Sequence, residues 1–499
     1  MRAQSLLLTK YLSFIIIGLV LFSSCKKKDD DDISLVSNTT VNEWVTENMR
    51  IYYYWNRTIP SDRNLDFQLD PVPFFETVAN RPTDRFSWIS KADELEDVLS
   101  GISTSTGIDF ILFPDGPQNV FGSVRYVIPG SPAELAGVKR GMLFTSVNGT
   151  LLTRNNYNDA LDPFDEGKGF EITLAELQVN GSSVTVRQTN NKISLTSARI
   201  QEPSVYTTTI LTTTSGRKVG YIFYNHFLDE RSQELFAAFN EFKAAGVNEL
   251  ILDLRYNLGG GIAVSGLLSA LAMEGYEKNK TFVRYNYNAI LNAEIPLSER
   301  NTSFSDLYLA FSNSPDTAAV ITEIDNKVKA ANLNLPRIFV LGTDNSASAS
   351  ELVINNLASY IDVIHIGLTT VGKNEGSITI KDEREPRVID WAIQPIIVKL
   401  ANKDGQGDYE GGLTPDHEID ENNSLPFSPL GSAQDPLIAK ALDVIDPTMA
   451  RGQLSRTAKA PARAISFSAI SQFNERIIRP LPILIDRTID KKRLERIRK

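Results

Sequence analysis

Sulfur and imidazole are scarce: 499 residues include one cysteine, Cys25, and three histidines, His226, His365 and His417. A single cysteine excludes an intrachain disulfide framework and a cysteine-based metal site. No His-Glu-x-x-His pattern occurs, and His365 alternates with apolar residues inside a strand-like run, so zinc chemistry has no signature and a Ser-His-Asp triad little support. A metal-independent protein without a cofactor is expected. Basic charge is also short in the body of the chain. Lys and Arg number 51 against 61 Asp and Glu, a net −10, yet residues 451–499 hold 13 basic against 4 acidic residues, leaving −19 for everything before them. Nucleic acid is gripped mainly through clustered Lys and Arg, so no nucleic-acid partner is expected, and the basic tail, 447–499, reads as a solvated appendage. Long apolar runs are equally rare. The one at Tyr11–Phe22, broken by Ser13 and Gly18, is too short for a membrane span.

That run follows Arg2 and Lys10 and ends in Phe22-Ser23-Ser24-Cys25, which predicts an export signal over residues 1–24. The small residues before Cys25 resemble a bacterial lipoprotein signal, in which the cysteine is acylated and becomes the new N-terminus; an ordinary cleaved signal with a chance cysteine is the alternative. Lys26–Lys28 and Asp29–Asp32 cannot pack and predict a solvated tether over 25–40. Acidic runs after such a cysteine resemble surface-export signals of Bacteroidetes lipoproteins, implying an exported protein anchored by lipid to the cell envelope, on the periplasmic or outer face.

With 42% hydrophobic residues the remainder can bury ordinary cores. Residues 41–100 read as a small helical region rich in aromatics (Trp44, Tyr52–Trp55). Over 101–198, short alternating runs such as Val124–Val127 and Ser183–Val186 between Gly, Pro and Asn turns predict a small β-rich domain. From 199 to 446 apolar strands alternate with amphipathic helices, the pattern of an α/β layered domain.

Three segments of this last region carry chemistry. Asp344-Asn345-Ser346-Ala347-Ser348-Ala349-Ser350-Glu351 lies between a buried strand and a helix, so unpaired helix N–H groups stand where a developing oxyanion would be stabilised. Ser348-x-x-Glu351 is equally a capping box. Val371-Gly372-Lys373 ends the next apolar strand, and a strand-helix-strand unit can bring both ends to one sheet edge. A serine hydroxyl needs a base, and a lysine amine serves if apolar surroundings depress its pKa; an exposed lysine in a glycine turn is the plainer alternative. Asp253-Leu254-Arg255-Tyr256-Asn257-Leu258-Gly259-Gly260-Gly261 is a strand end opening into a glycine turn, without the Lys-Ser/Thr ending of a P-loop.

Together these segments resemble the C-terminal processing peptidases, or tail-specific proteases, over about 101–446. The resemblance implies a multidomain α/β protein: a small helical region, a PDZ domain and an α/β layered serine peptidase core of the crotonase and Clp-protease kind. It makes Ser348 the nucleophile and Lys373, 25 residues on, its base, with an oxyanion hole from the amide of Ala349 and one of Gly259 or Gly260. The family's Gly-Lys-Gly-x-x-Gln, whose glutamine steadies the lysine, is altered here. Asn374 replaces the second glycine, and Ser377 stands in the glutamine's place, either as a substitute or as an ordinary strand serine. Gly107-Ile108-Asp109-Phe110 resembles a PDZ carboxylate-binding loop and Gly130–Gly137 the PDZ helix start, implying substrates selected by accessible C-termini. Met142 replaces the usual Asp after Gly141, and Gly411–Asp416 resembles a closing structural segment. A non-catalytic binder of the same fold, and a hydrolase of non-peptide esters, are the rival readings.

Overall fold

In Lys218–Tyr224 every residue after Lys218 is buried, and in Glu249–Asp253 every residue is. Side chains of a strand alternate between faces, so such runs require a sheet covered on both sides. A computed structural model describes residues 36–165, 167–180 and 183–448, and shows that sheet. Six strands lie in chain order across it: β1 (Val205–Thr212), β2 (Lys218–Tyr224), β3 (Glu249–Asp253), β4 (Arg337–Gly342), β5 (Asp362–Gly367) and β6 (His417–Glu418). β1 is antiparallel to β2, and β2 to β6 run parallel. Val219, Tyr221 and Phe223 share one core with Leu437, Ile438, Ala441 and Leu442 of the helix Pro436–Ile445. On the opposite face Gly220 meets Phe242 of α1 (Ser232–Ala245). Two further helices matter to the site, α2 (Ile262–Ala272) and α3 (Ala349–Leu357).

Because β3, β4 and β5 are parallel and adjacent, with Asp253 opposite Leu341 and Leu341 opposite Ile366, their C-terminal ends open on one edge. The segments Leu254–Gly261, Thr343–Ser348 and Leu368–Lys373 all leave from that edge, which is where ligands gather in sheets of this kind.

Residues 108–195 form an antiparallel sheet in the order Ile108–Asp115, Asn119–Val127, Leu143–Val147, Phe170–Asn180, Ser183–Leu195, around Phe110, Leu112, Val124, Phe144 and Ile172. Gly107 stands in a loop with φ +85°, but Ile108, Asp109 and Phe110 already belong to the first strand. The N-terminal region differs from its helical expectation in two ways. Its first helix, Asn38–Tyr52, reaches back into the expected tether, and Trp88–Lys91 is a strand paired with Trp391–Gln394. Four residues are too few for a period-2 signal to stand out between helices. The leader, Cys25 and the residues from 449 onward lie outside the described residues; among those described, no helix is long and apolar enough to cross a membrane.

A buried ionic network locks the β-rich unit to the α/β sheet. Arg255, with no exposed side-chain surface, donates to Asp253 (2.7 Å), Asp435 (2.8 Å) and Glu421 (2.8 Å). Arg140, from the β-rich unit, reaches Glu421 at 2.8 Å and the Tyr256 hydroxyl at 2.9 Å. Breaking one member of such a set strands the others without compensation. Arg255→Leu is therefore expected to lower unfolding stability by about 3–5 kcal/mol, read from denaturant unfolding followed by circular dichroism.

Candidate active site

The three loops are sewn together by short polar contacts. Asn257 donates its amide to Tyr224 O at the end of β2 (2.8 Å) and accepts the Gly259 N–H on Oδ1 (2.8 Å). Its backbone carbonyl accepts the Ala347 N–H (3.1 Å) and the Ser350 hydroxyl (2.9 Å). Ser346 donates to Leu254 O at 2.7 Å. Two serines of the run are thus committed to holding the glycine loop.

Ser348 lies between them, fully buried, at the N-cap of α3 with φ +64°. That backbone region costs a side-chain-bearing residue about 1–3 kcal/mol and persists only where neighbours impose it. The neighbours are the glycines. A Cβ on Gly259 would stand 2.6 Å from Ser348 Cβ, and one on Gly260 2.2 Å from Phe227 O, so no side chain fits at either position. Gly259 spends its N–H on Asn257, whereas the N–H groups of Gly260 and Ala349 meet no acceptor among the described residues. Of the two glycines, Gly260 keeps the available donor.

Glu351 binds both halves of the site. Its Oε2 accepts the backbone N–H of Ser348 (2.7 Å) and of Lys373 (2.8 Å), while Oε1 accepts the Gly372 N–H (2.6 Å) and the Thr370 hydroxyl (2.5 Å). The capping box is present, and it also brings the Lys373 turn to the Ser348 turn. Burial pushes the Glu351 carboxyl above its ordinary range, against these four donors.

Lys373 is only 1% exposed, with Nζ 5.1 Å from the ring centre of Phe86. Burial lowers its amine from 10.5 to about 8, opposed by the negative charges of Glu375, Asp84 and Glu351. Ser377, also buried, accepts the Gln394 amide on Oγ (3.1 Å), and Gln394 in turn accepts the Thr379 hydroxyl (2.8 Å). Asp109 pairs with Arg125 on the neighbouring strand, so its carboxylate is engaged within the β-rich unit.

Two family models match this chain: peptidase family S41 over residues 218–419, the span holding all three loops, and the peptidase S41 N-terminal domain over residues 40–88. The chain belongs to peptidase family S41. It is 25% identical over 310 residues to the carboxy-terminal processing protease CtpA of Bacillus subtilis, covering 61% of this chain and 56% of that protein. A probable CtpA-like serine protease of Staphylococcus aureus is 24% identical over 291 residues, covering 58% and 48%. The chain thus spans about half the length of the curated relatives it matches. A crystal structure of an S41 protease from Bacteroides fragilis superposes with TM-score 0.66 at 25% identity, over 81% of this chain and 97% of that one.

Within this S41 chain several site residues escaped the sequence reading. Asn257 holds distant backbone groups that no motif spacing exposes, and the spacing that marked Glu351 as a helix cap gave no sign of its bonds to Thr370, Gly372 and Lys373. Gln394 had a faint signal, as a lone amide in the apolar run Trp391–Ile397. Asp84 and Phe86 had none, since their link to Lys373 is purely tertiary.

Two outcomes follow from the charges. Glu351→Gln replaces an acceptor oxygen by an NH₂ facing N–H donors, and is expected to cost about 2–3 kcal/mol in denaturant unfolding. Lys373→Met removes a buried amine whose folded-state pKa is depressed, so the unfolded chain binds more protons between about 8 and 10.5. The penalty is full below that window and vanishes above it. Near neutral pH the variant is therefore expected to gain roughly 3 kcal/mol, visible as a raised melting temperature.

Proposed function

We propose that this protein is a serine endopeptidase that cleaves proteins with a Ser348/Lys373 dyad. The observation that carries this reading is the shared carboxylate: the amides of Ser348 and Lys373 hang on one oxygen of Glu351, beside a buried amine lowered to about 8. A neutral Lys373 amine takes the Ser348 Oγ proton as Oγ attacks the scissile carbonyl carbon. The oxyanion forms against the amides of Ala349 and Gly260. On collapse the C–N bond breaks, the leaving amine takes the proton from the Lys373 ammonium, and an acyl ester stays on Ser348. Water, deprotonated by the same amine, then releases the acid and restores the hydroxyl. Ser377, oriented by Gln394, takes the steadying role that the family gives to glutamine.

The β-rich unit acts in this reading as a PDZ domain. Ile108–Asp115 is one of the two edge strands of its sheet, with a main-chain edge for an added peptide strand, and the Gly107 turn leads into it. Substrates would accordingly be chosen by accessible C-terminal segments. Export, and lipid attachment at Cys25, rest on the leader motif and are part of the same proposal.

The test uses the chain beginning after Cys25 and a disordered protein with an apolar C-terminus. Cleavage is expected, abolished by Ser348→Ala and by Lys373→Ala, with kcat/KM rising through an acid limb near pH 8 as Lys373 loses its proton. Cleavage surviving either change would sink the dyad. No cleavage by the parent, with binding of the same substrate, would favour a non-catalytic binder.

A further inference from the structure

The segment Asp84-Arg85-Phe86-Ser87 lies against the Lys373 turn, although 287 positions separate Arg85 from Gly372. Arg85 Nη2 donates to Gly372 O at 2.7 Å and to Glu410 O at 3.2 Å, gripping from outside the turn that Glu351 holds from inside. The Arg85 guanidinium carbon is 4.6 Å from the Phe86 ring centre, the same ring that Lys373 Nζ approaches. The ring is itself fixed. Asp84 Oδ1 accepts the N–H groups of Phe86 and Ser87, each at 2.9 Å, and its Oδ2 accepts the Tyr53 hydroxyl at 2.7 Å. Ser87 Oγ accepts the Ile396 N–H at 2.8 Å, and Tyr54 N–H donates to Ile396 O at 2.8 Å, which ties the segment to the strand beside Ser377.

We propose that Arg85 and Phe86 are positioning residues for Lys373: Arg85 fixes the turn, and Phe86 closes the amine off from water, making the N-terminal domain a working part of the base. The catalytic consequence rests on the dyad reading above, whereas the positioning itself does not. An aromatic face attracts an ammonium, while exclusion of water disfavours it. Exclusion is the larger effect here, because the amine lies below its ordinary pKa even with Asp84, Glu351 and Glu375 facing it. Of the other ionisable groups around the turn, Lys399 pairs with Glu375 at 2.6 Å and with Glu410 at 3.2 Å, and Tyr409 is buried beside them. Opening the Phe86 position to water therefore raises the amine.

The experiment compares the chain beginning after Cys25 with Phe86→Ala, Phe86→Leu, Arg85→Ala and Arg85→Lys, by kcat/KM against pH and by amide hydrogen exchange over residues 370–374. Phe86→Ala is expected to move the acid limb upward by about one unit, an approximately tenfold loss near neutral pH that recovers in alkali, while Phe86→Leu keeps the parent's limb. Arg85→Ala is expected to speed exchange at Gly372 and Lys373 and to lower kcat about tenfold with KM little changed, and Arg85→Lys to restore part of it. An unmoved limb in Phe86→Ala, or unmoved exchange in Arg85→Ala, overturns the proposal. If the parent does not cut, the peptidase reading fails, and exchange alone decides: faster exchange in Arg85→Ala upholds the positioning role, unchanged exchange overturns it.

Discussion

A buried carboxylate is tolerable only when its lone pairs are met, and that of Glu351 is met by four donors drawn from two separate turns. Moving the Lys373 turn away from the start of α3 would leave an anion in an apolar interior. The spacing between Ser348 and Lys373 is thus set by backbone amides on a common acceptor, and not by the reach of a flexible lysine. A capping box and a nucleophile are usually competing explanations for Ser-x-x-Glu. Here one glutamate serves as both the helix cap and the joint between the two turns.

The parts legible in the sequence are those with local periodicity. Continuous apolar runs bounded by turn residues marked β2, β3, β4 and β5, and their parallel order follows from the helices between them. That order sends the Asp253, Thr343 and Leu368 loops to one edge, which places Ser348 near the Lys373 turn, while the grouping of Gly259–Gly260 with them came from the resemblance to the C-terminal processing peptidases. What stayed hidden is what depends on hydrogen bonds between distant backbones. That the Gly259 N–H is engaged turns on one bond to Asn257, and the strand Trp88–Lys91 is visible only in its pairing with Trp391–Gln394.

The site is held in conformations that local chemistry disfavours. Ser348 adopts a backbone angle suited to glycine, Lys373 keeps an amine out of water, and Arg255 sits with its carboxylate partners in a dry interior. Each is imposed by contacts arriving from elsewhere: glycine-lined space, the Asp84–Ser87 segment, and Arg140 with Glu421 and Asp435. Rigidity at the edge of β3 to β5 is accordingly a property of the assembled molecule and not of the three loops alone.

The partners of Arg255 also bear on how the chain comes into being. Glu421 and Asp435 stand near the end of the described residues, and the Ile396 strand that anchors the Asp84–Ser87 segment comes almost as late. Contacts of such long sequence separation form last when a polypeptide is made or threaded from its N-terminus. A nascent chain that has already produced its glycine turn and the Ser346–Ser350 run still lacks Glu421 and Asp435, the partners that fix Arg255 beside them. The edge of β3 to β5 therefore takes its final arrangement only after the segment that carries Glu421 and Asp435 has been made.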